Sequence, residues 1–386
     1  MSIKGLRVAR ISTVPFFVVT QLSAQLRALN DAGADVDVIA SNDDMSEVLQ
    51  SRKDLTFIPV EIAREISPLK DLRSLIQLVI LFRKRGYDIV HSTTPKAGLL
   101  AAIAGRIAGT QIRLHTFTGQ PWVTMSGFKK HLLKFCDWLI ARLNTHNFTD
   151  SVSQREFLVQ EGVISSNKVS VIGVGSLAGV DMDRFDAQRF SPEFIAQTRN
   201  ELEIPQDAKV LLFVGRVTPE KGIGELMEAF ITLRAVHADL FLVLVGPYEA
   251  EGREVVESHL AGDCAGYVKV LGLQEVPEKF MAASDLLCLP SYREGFGTVV
   301  IEAAAMGLPT VGTDIYGLND AVVNGETGLL VPVRNPGALS DAIDALLSQP
   351  QRLISMSTKA RERARRDFDS KYCSALLIQQ YEGFYK

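Results

Sequence analysis

The chain has 386 residues, 47% of them apolar, with 41 Lys and Arg against 45 Asp and Glu and a net charge of −4. That length and apolar content suit a globular protein of two or three packed domains. No run of 18 or more apolar residues occurs, the richest piece lying at 74–82, so a membrane-spanning helix is not expected.

In chain order, residues 7–11 read as a strand, 20–32 as a helix closed by Gly33, and 35–40 as a second strand, a βαβ unit that implies a parallel sheet. Residues 68–85 read as a helix with Ser67 at its N-cap, 89–91 as a strand, and 96–107 as a helix ending before Gly109. A strand at 113–117, a helix over about 127–143 and a short strand at 147–152 complete a doubly wound domain. A second begins near Phe185, with strands at 209–214, 240–245, 268–271, 286–289 and 309–312 alternating with helices at 224–236, from 252, and at 298–306. A last helix covers about 369–385. The fold class is therefore α/β, with two doubly wound Rossmann-like domains at 1–180 and 181–368 and a C-terminal helix at 369–386.

Arg7 and Arg10 fall where a signal peptide needs its apolar core, and Cys136, Cys264, Cys288 and Cys373 show no paired spacing. Both features suit reduced thiols in a cytoplasmic protein and give no zinc motif. Charge is uneven: residues 1–185 hold 22 Lys and Arg against 17 Asp and Glu, whereas 186–386 hold 19 against 28. A basic front half points to a negatively charged partner, a phospholipid surface or lipid diphosphate as readily as nucleic acid.

The densest functional signal is the stretch from Pro290 to Glu302, in which an apolar strand ends, a loop carries Glu294, Gly295, Phe296 and Gly297, and a helix opens at Thr298. Free N–H groups at such a helix start attract anionic oxygen, and open α/β sheets bind ligands outside the carboxyl ends of their strands. Glu294 and Glu302 flank that point and can accept hydrogen bonds from hydroxyls on either side of a phosphate, which suggests a nucleotide-sugar. Taken singly, each glutamate reads equally well as a solvated residue. After the strand at 209–214 comes Gly215-Arg216-Val-Thr-Pro-Glu-Lys221-Gly222. Here Arg216 offers a fork and Lys221 a point charge to a diphosphate, or both stand in a solvated turn.

Glu, seven residues, Glu after a strand, with Gly295 and Gly297 between, resembles the signature of the retaining glycosyltransferases of family 4, of the type that builds bacterial surface polysaccharides. The resemblance covers nearly the whole chain. It implies the GT-B fold, with two Rossmann-like domains facing across a cleft and the last helix crossing back onto the first. It also implies that Arg216 and Lys221 stabilise the departing nucleoside diphosphate, that Glu302 binds ribose hydroxyls and that Glu294 contacts the donor sugar. Many members carry a His immediately before Gly119, where this chain has Thr118, with His115 three residues earlier. That departure suggests a 6-deoxy or acetamido sugar, with Thr118 lending its hydroxyl and His115 either serving the site or lying in the strand.

Phe16, Phe17, Thr20, His91, Thr94 and Lys96 follow strand ends of the first domain and are expected on the acceptor side, Lys96 either holding an acceptor phosphate or facing solvent. The segment 127–142 mixes Lys129, Lys130 and Lys134 with Phe128, Phe135 and Trp138, the pattern of an interfacial helix or of a sheet-packing helix with a basic outer face. Three Asp-x-Asp pairs, at Asp35, Asp181 and Asp367, fall in a strand, at the hinge and at a helix start, and no metal or other cofactor is expected. The expected activity is retaining, metal-independent transfer of a hexose or N-acetylhexosamine from a nucleoside-diphosphate sugar, uridine-linked, to a lipid-linked or saccharide acceptor. It is placed at the inner face of the cytoplasmic membrane, without a nucleic-acid partner. A nucleotide-sugar epimerase or hydrolase and a non-catalytic nucleotide-sugar-binding partner are the alternatives.

Overall fold

The computed structural model describes residues 2–63, 65–260 and 264–385. They form two units, Met1–Gly179 together with Ser370–Lys386, and Val180–Asp369. The first unit is built on seven strands: β1 (Arg7–Ile11), β2 (Asp35–Ala40), β3 (Thr56–Pro59), β4 (Ile89–Thr93), β5 (Ile112–Phe117), β6 (His146–Thr149) and β7 (Val169–Val171). All pair in parallel in the order β3-β2-β1-β4-β5-β6-β7, with Val8 opposite both Val36 and Ile89. The central strand β4 is buried from end to end, as expected of a strand covered on both faces.

Helices Pro68–Arg85, Pro95–Ala108 and Gly127–Leu143 pack side by side, the middle one touching both neighbours. Its inner positions are small, and Gly98 is obligatory there, because an added Cβ would stand 2.4 Å from the His115 ring. The last helix, Ser370–Phe384, lies on the helix Ser23–Asp31 and sends Leu377 and Tyr381 into the core of the first unit.

Strands β3 and β7 were not anticipated, and two expected first-unit elements differ from the sequence reading. The helix expected at 20–32 starts earlier, as Pro15–Phe17, a π-helical turn Val18–Leu22 and then Ser23–Asp31. Thr20 Oγ1 and Ser23 Oγ both bond back to carbonyls four residues earlier, each at 2.8 Å, which competes with the regular helical ladder and accompanies the widened turn. The strand expected at 147–152 stops at Thr149, since Ser151 accepts from Gln154 N at 3.1 Å and caps a helix, Val152–Gln160.

The second unit carries β8 (Lys209–Val214), β9 (Leu240–Val245), β10 (Val268–Gly272), β11 (Leu286–Leu289), β12 (Thr310–Thr313) and β13 (Gly328–Val331). Their order is β10-β9-β8-β11-β12-β13, again all parallel. Strand β13 and the helices Pro336–Leu347 and Pro350–Asp367 were not anticipated. Each sheet reverses its winding once, between β1 and β4 in the first unit and between β8 and β11 in the second. No described helix is long and apolar enough to cross a membrane.

Candidate active site

Loops leaving the carboxyl ends of β8 and β11 meet at the winding reversal of the second sheet, the position at which open α/β sheets hold ligands. Gly222 makes the meeting possible. It sits at φ +72°, and a Cβ there would lie 2.1 Å from the Pro290 carbonyl oxygen. Tyr292 N–H then donates to Glu220 O at 2.9 Å, tying the two loops together.

This contact brings Lys221 and Glu294, 73 residues apart, into an ion pair, with Ser291 Oγ donating to the same Glu294 oxygen at 2.8 Å. Arg216 is held by Glu220 at 2.7 Å and Glu249 at 3.1 Å, and these carboxylates keep its guanidinium pKa raised against the opposing effect of burial. Glu220 also receives Arg293, at 3.0 and 3.1 Å. Beside them Tyr292 donates to Glu225 at 2.5 Å, with the Arg334 guanidinium 4.7 Å from its ring centre. The loops therefore form a lattice of alternating charge in which Arg216 and Lys221 are each neutralised by a carboxylate.

Gly297 caps the helix Thr298–Ala305, whose first internal bond is Val300 N to Gly297 O at 2.8 Å, so the N–H groups before it face the loop. Gly295 is buried and Thr298 half-buried at this start. The Phe296 side chain packs edge-on against Phe368 at 5.3 Å, and its backbone lies at the loop. Glu302 lies further along the helix, and burial pushes its carboxyl up to about 7 against the pull of Arg184, with Glu278 adding repulsion. Arg184 is itself clamped by Glu278 at 2.8 and 2.9 Å.

In the first unit most acceptor-side candidates are engaged within the fold, and for His115 the structure takes the strand alternative. His91 is interior: one ring nitrogen meets Tyr381 OH at 2.7 Å and Arg10 at 3.2 Å, the other Thr116 at 2.8 Å, and burial holds its pKa well below the ordinary value. His115 is likewise sealed in β5, on Ser92 Oγ at 3.0 Å, with burial driving its pKa down to about 3. Lys96 does not face solvent alone, since Asp71 at 2.8 Å and the Glu65 carbonyl hold it. Phe17 packs on the first core, and Thr20 is exposed with its hydroxyl on Phe16 O. Thr118 is half-buried just past β5.

The Asp-x-Asp pairs have structural tasks. Asp37 takes the Tyr87 hydroxyl at 2.5 Å and Arg85 at 3.2 Å, Asp181 caps the turn at Asp183 and Arg184, and Asp367 pairs with Arg366. Sequence reasoning missed Glu220, Glu249 and Arg293 as partners of the clamp. The only local signal was the placing of Arg293 beside Glu294 and of Glu220 beside Lys221.

Two family descriptions match the chain: glycosyl transferases group 1 over residues 194–366 and glycosyl transferase 4-like domain over 18–175. The chain belongs to this glycosyltransferase family and has the GT-B fold. It is 28% identical over 370 residues to the capsular polysaccharide biosynthesis glycosyltransferase CapM of Staphylococcus aureus, covering 95% of this chain and 94% of that one. It is also 28% identical to the UDP-Gal:alpha-D-GlcNAc-diphosphoundecaprenol alpha-1,3-galactosyltransferase of Escherichia coli, over 74% of this chain and 73% of the relative. Among solved structures, Anabaena HepE in complex with UDP and glucose superposes with a TM-score of 0.80 at 19% identity, covering 98% of this chain and 99% of that chain.

Proposed function

We propose that this glycosyltransferase moves a sugar from a uridine-diphosphate donor to a lipid-linked or saccharide acceptor in surface polysaccharide synthesis, with retention at the anomeric carbon and without a metal. The observation that carries the reading is the convergence of Arg216, Lys221, Glu294 and the Gly297–Thr298 helix start at the β8/β11 reversal. In this reading the donor diphosphate displaces carboxylates from Arg216 and Lys221, and the two cations stabilise the charge that develops as the glycosidic bond breaks. Glu294, released from Lys221, accepts from a sugar hydroxyl, and Glu302 takes the ribose. The chain supplies position and charge, and the donor phosphate takes the acceptor proton on the face from which it departs. The relatives named for capsular polysaccharide and for transfer from UDP-galactose to a diphosphoundecaprenol-linked sugar support the donor and acceptor classes, as does the neighbour holding UDP and glucose.

The test is a thermal-shift screen of uridine-, guanosine- and thymidine-diphosphate sugars with a metal chelator present, followed by the anomeric coupling of the product. A uridine donor that raises the midpoint under chelation and gives a retained linkage is expected, and 6-deoxy or acetamido sugars should outperform the plain hexoses. A shift that needs a divalent cation, or an inverted product, overturns the mechanism; preference for a plain hexose overturns the sugar assignment.

A further inference from the structure

Two carboxylates of the second unit, Glu278 and Glu302, share one guanidinium, and the geometry gives it to Glu278. Arg184 stands in the turn that opens this unit, where the Asp181 carboxylate accepts from Asp183 N at 3.0 Å and from Arg184 N at 3.1 Å. Its guanidinium reaches Glu278, donating from Nε at 2.8 Å and from Nη2 at 2.9 Å, and Nη2 also meets the Glu275 carbonyl at 2.9 Å. Glu278 begins a short helix, Glu278–Ala282, that packs on the helix bearing Glu302, and its side chain is only 4% exposed. A carboxylate so withdrawn from water needs a charged partner, and a planar fork matches both of its oxygens. Glu302 is left with the field of the same guanidinium and with a second negative charge beside it.

The other charges around helix Thr298–Ala305 are engaged elsewhere. Lys279, next to Glu278, pairs with Glu201 at 2.6 Å. On the helix Pro350–Asp367, which also packs here, Arg361 lies against Gly307, and Arg363 bonds the Asp320 and Ala321 carbonyls with the Asp320 charge acting on it. Arg184 and Glu278 are therefore the charges that act on Glu302. The Glu302 side chain is half-buried, open to a ligand yet withdrawn enough from water for its pKa to rise to about 7. If it must be ionised to accept from both hydroxyls of a ribose, that midpoint makes binding about tenfold tighter at pH 8 than at pH 6.

We propose that Arg184 and Glu278 are positioning residues for the donor, the clamp between them governing how readily the Glu302 carboxylate is offered to the ribose, a role that rests on the ribose reading of Glu302. Two measurements keep that reading and the clamp apart. The Glu302 carboxyl is titrated by carbon-detected NMR in the intact chain, its signal identified with Glu302→Gln. Affinity for UDP-glucose is measured by calorimetry at pH 6, 7 and 8, since a diphosphate esterified at both ends keeps its charge across that range. In Glu278→Gln the like charge is gone and Arg184 is released toward Glu302, so the Glu302 midpoint should fall by about one pH unit or more. Affinity at pH 6 should then rise about fivefold, with little change at pH 8. In the double variant Glu278→Gln with Arg184→Gln the cation is also removed, and burial alone should return the midpoint to the wild-type value or above it. A clamp that merely braced the turn would lower the unfolding midpoint of both variants and show no such reversal. The proposal is overturned if Glu302 titrates alike in the wild type and Glu278→Gln, or if its midpoint stays low in the double variant. UDP-glucose affinity that ignores pH while Glu302 responds to both changes overturns the ribose reading instead.

Discussion

Lys221→Ala separates stability from catalysis in a way that the loop geometry makes explicit. The Lys221 and Glu294 side chains are 18% and 13% exposed, so the pair is mostly withdrawn from water yet not sealed. Breaking a fully buried pair costs about 3–5 kcal/mol and an exposed one at most about 1 kcal/mol. The intermediate burial, with Ser291 still bonded to Glu294 at 2.8 Å, places the stability loss near 2 kcal/mol. Turnover should fall about 100-fold or more, the scale of deleting one preorganised charge-stabilising group. The double variant Lys221→Ala with Glu294→Gln removes the stranded carboxylate, so it should recover most of the stability and none of the turnover. Denaturant unfolding and a steady-state transfer assay on the three proteins read both quantities. Near-normal turnover in Lys221→Ala, or turnover returning together with stability in the double variant, refutes the role given to Lys221.

Two further outcomes follow from buried groups of the first unit. Burial pushes the Asp150 carboxyl up to about 8. A group raised above its unfolded value contributes stability below the unfolded pKa of about 4 and loses that contribution as pH rises through the folded value. Asp150→Asn should therefore raise the unfolding midpoint more at pH 8 than at pH 5, and an equal effect at both would contradict the assignment. Tyr381→Phe deletes the hydroxyl that accepts from Arg10 at 3.0 Å and bonds His91 at 2.7 Å, leaving a buried guanidinium short of a partner. A loss of about 1–3 kcal/mol is expected in urea unfolding, and a change below about 0.5 kcal/mol would show that the network relaxes without it.

The signals that survived from sequence to structure are local ones. Strands at 7–11, 35–40, 209–214 and 240–245 and the helix at 68–85 stand where periodicity and punctuation put them, because unbroken apolar runs and Gly or Pro stops act within a few residues. The loops bearing Arg216, Lys221 and Glu294 were legible for the same reason: a Gly-rich turn after a strand is a local pattern. The inward turn of the Phe296 side chain was not legible, because it packs on Phe368 seventy-two residues later and nothing near position 296 records that contact.

His91 and His115 show the same limit. Both end up neutral and sealed because Tyr381 returns from the far end of the chain to cover one, and the bare backbone of Gly98 makes room for the other. The amino-acid sequence by itself determined two parallel α/β sheets and the chemistry available at the ends of their strands. Which of those groups face a ligand and which are walled off was decided by tertiary packing, since burial and ion pairing depend on residues tens to hundreds of positions away.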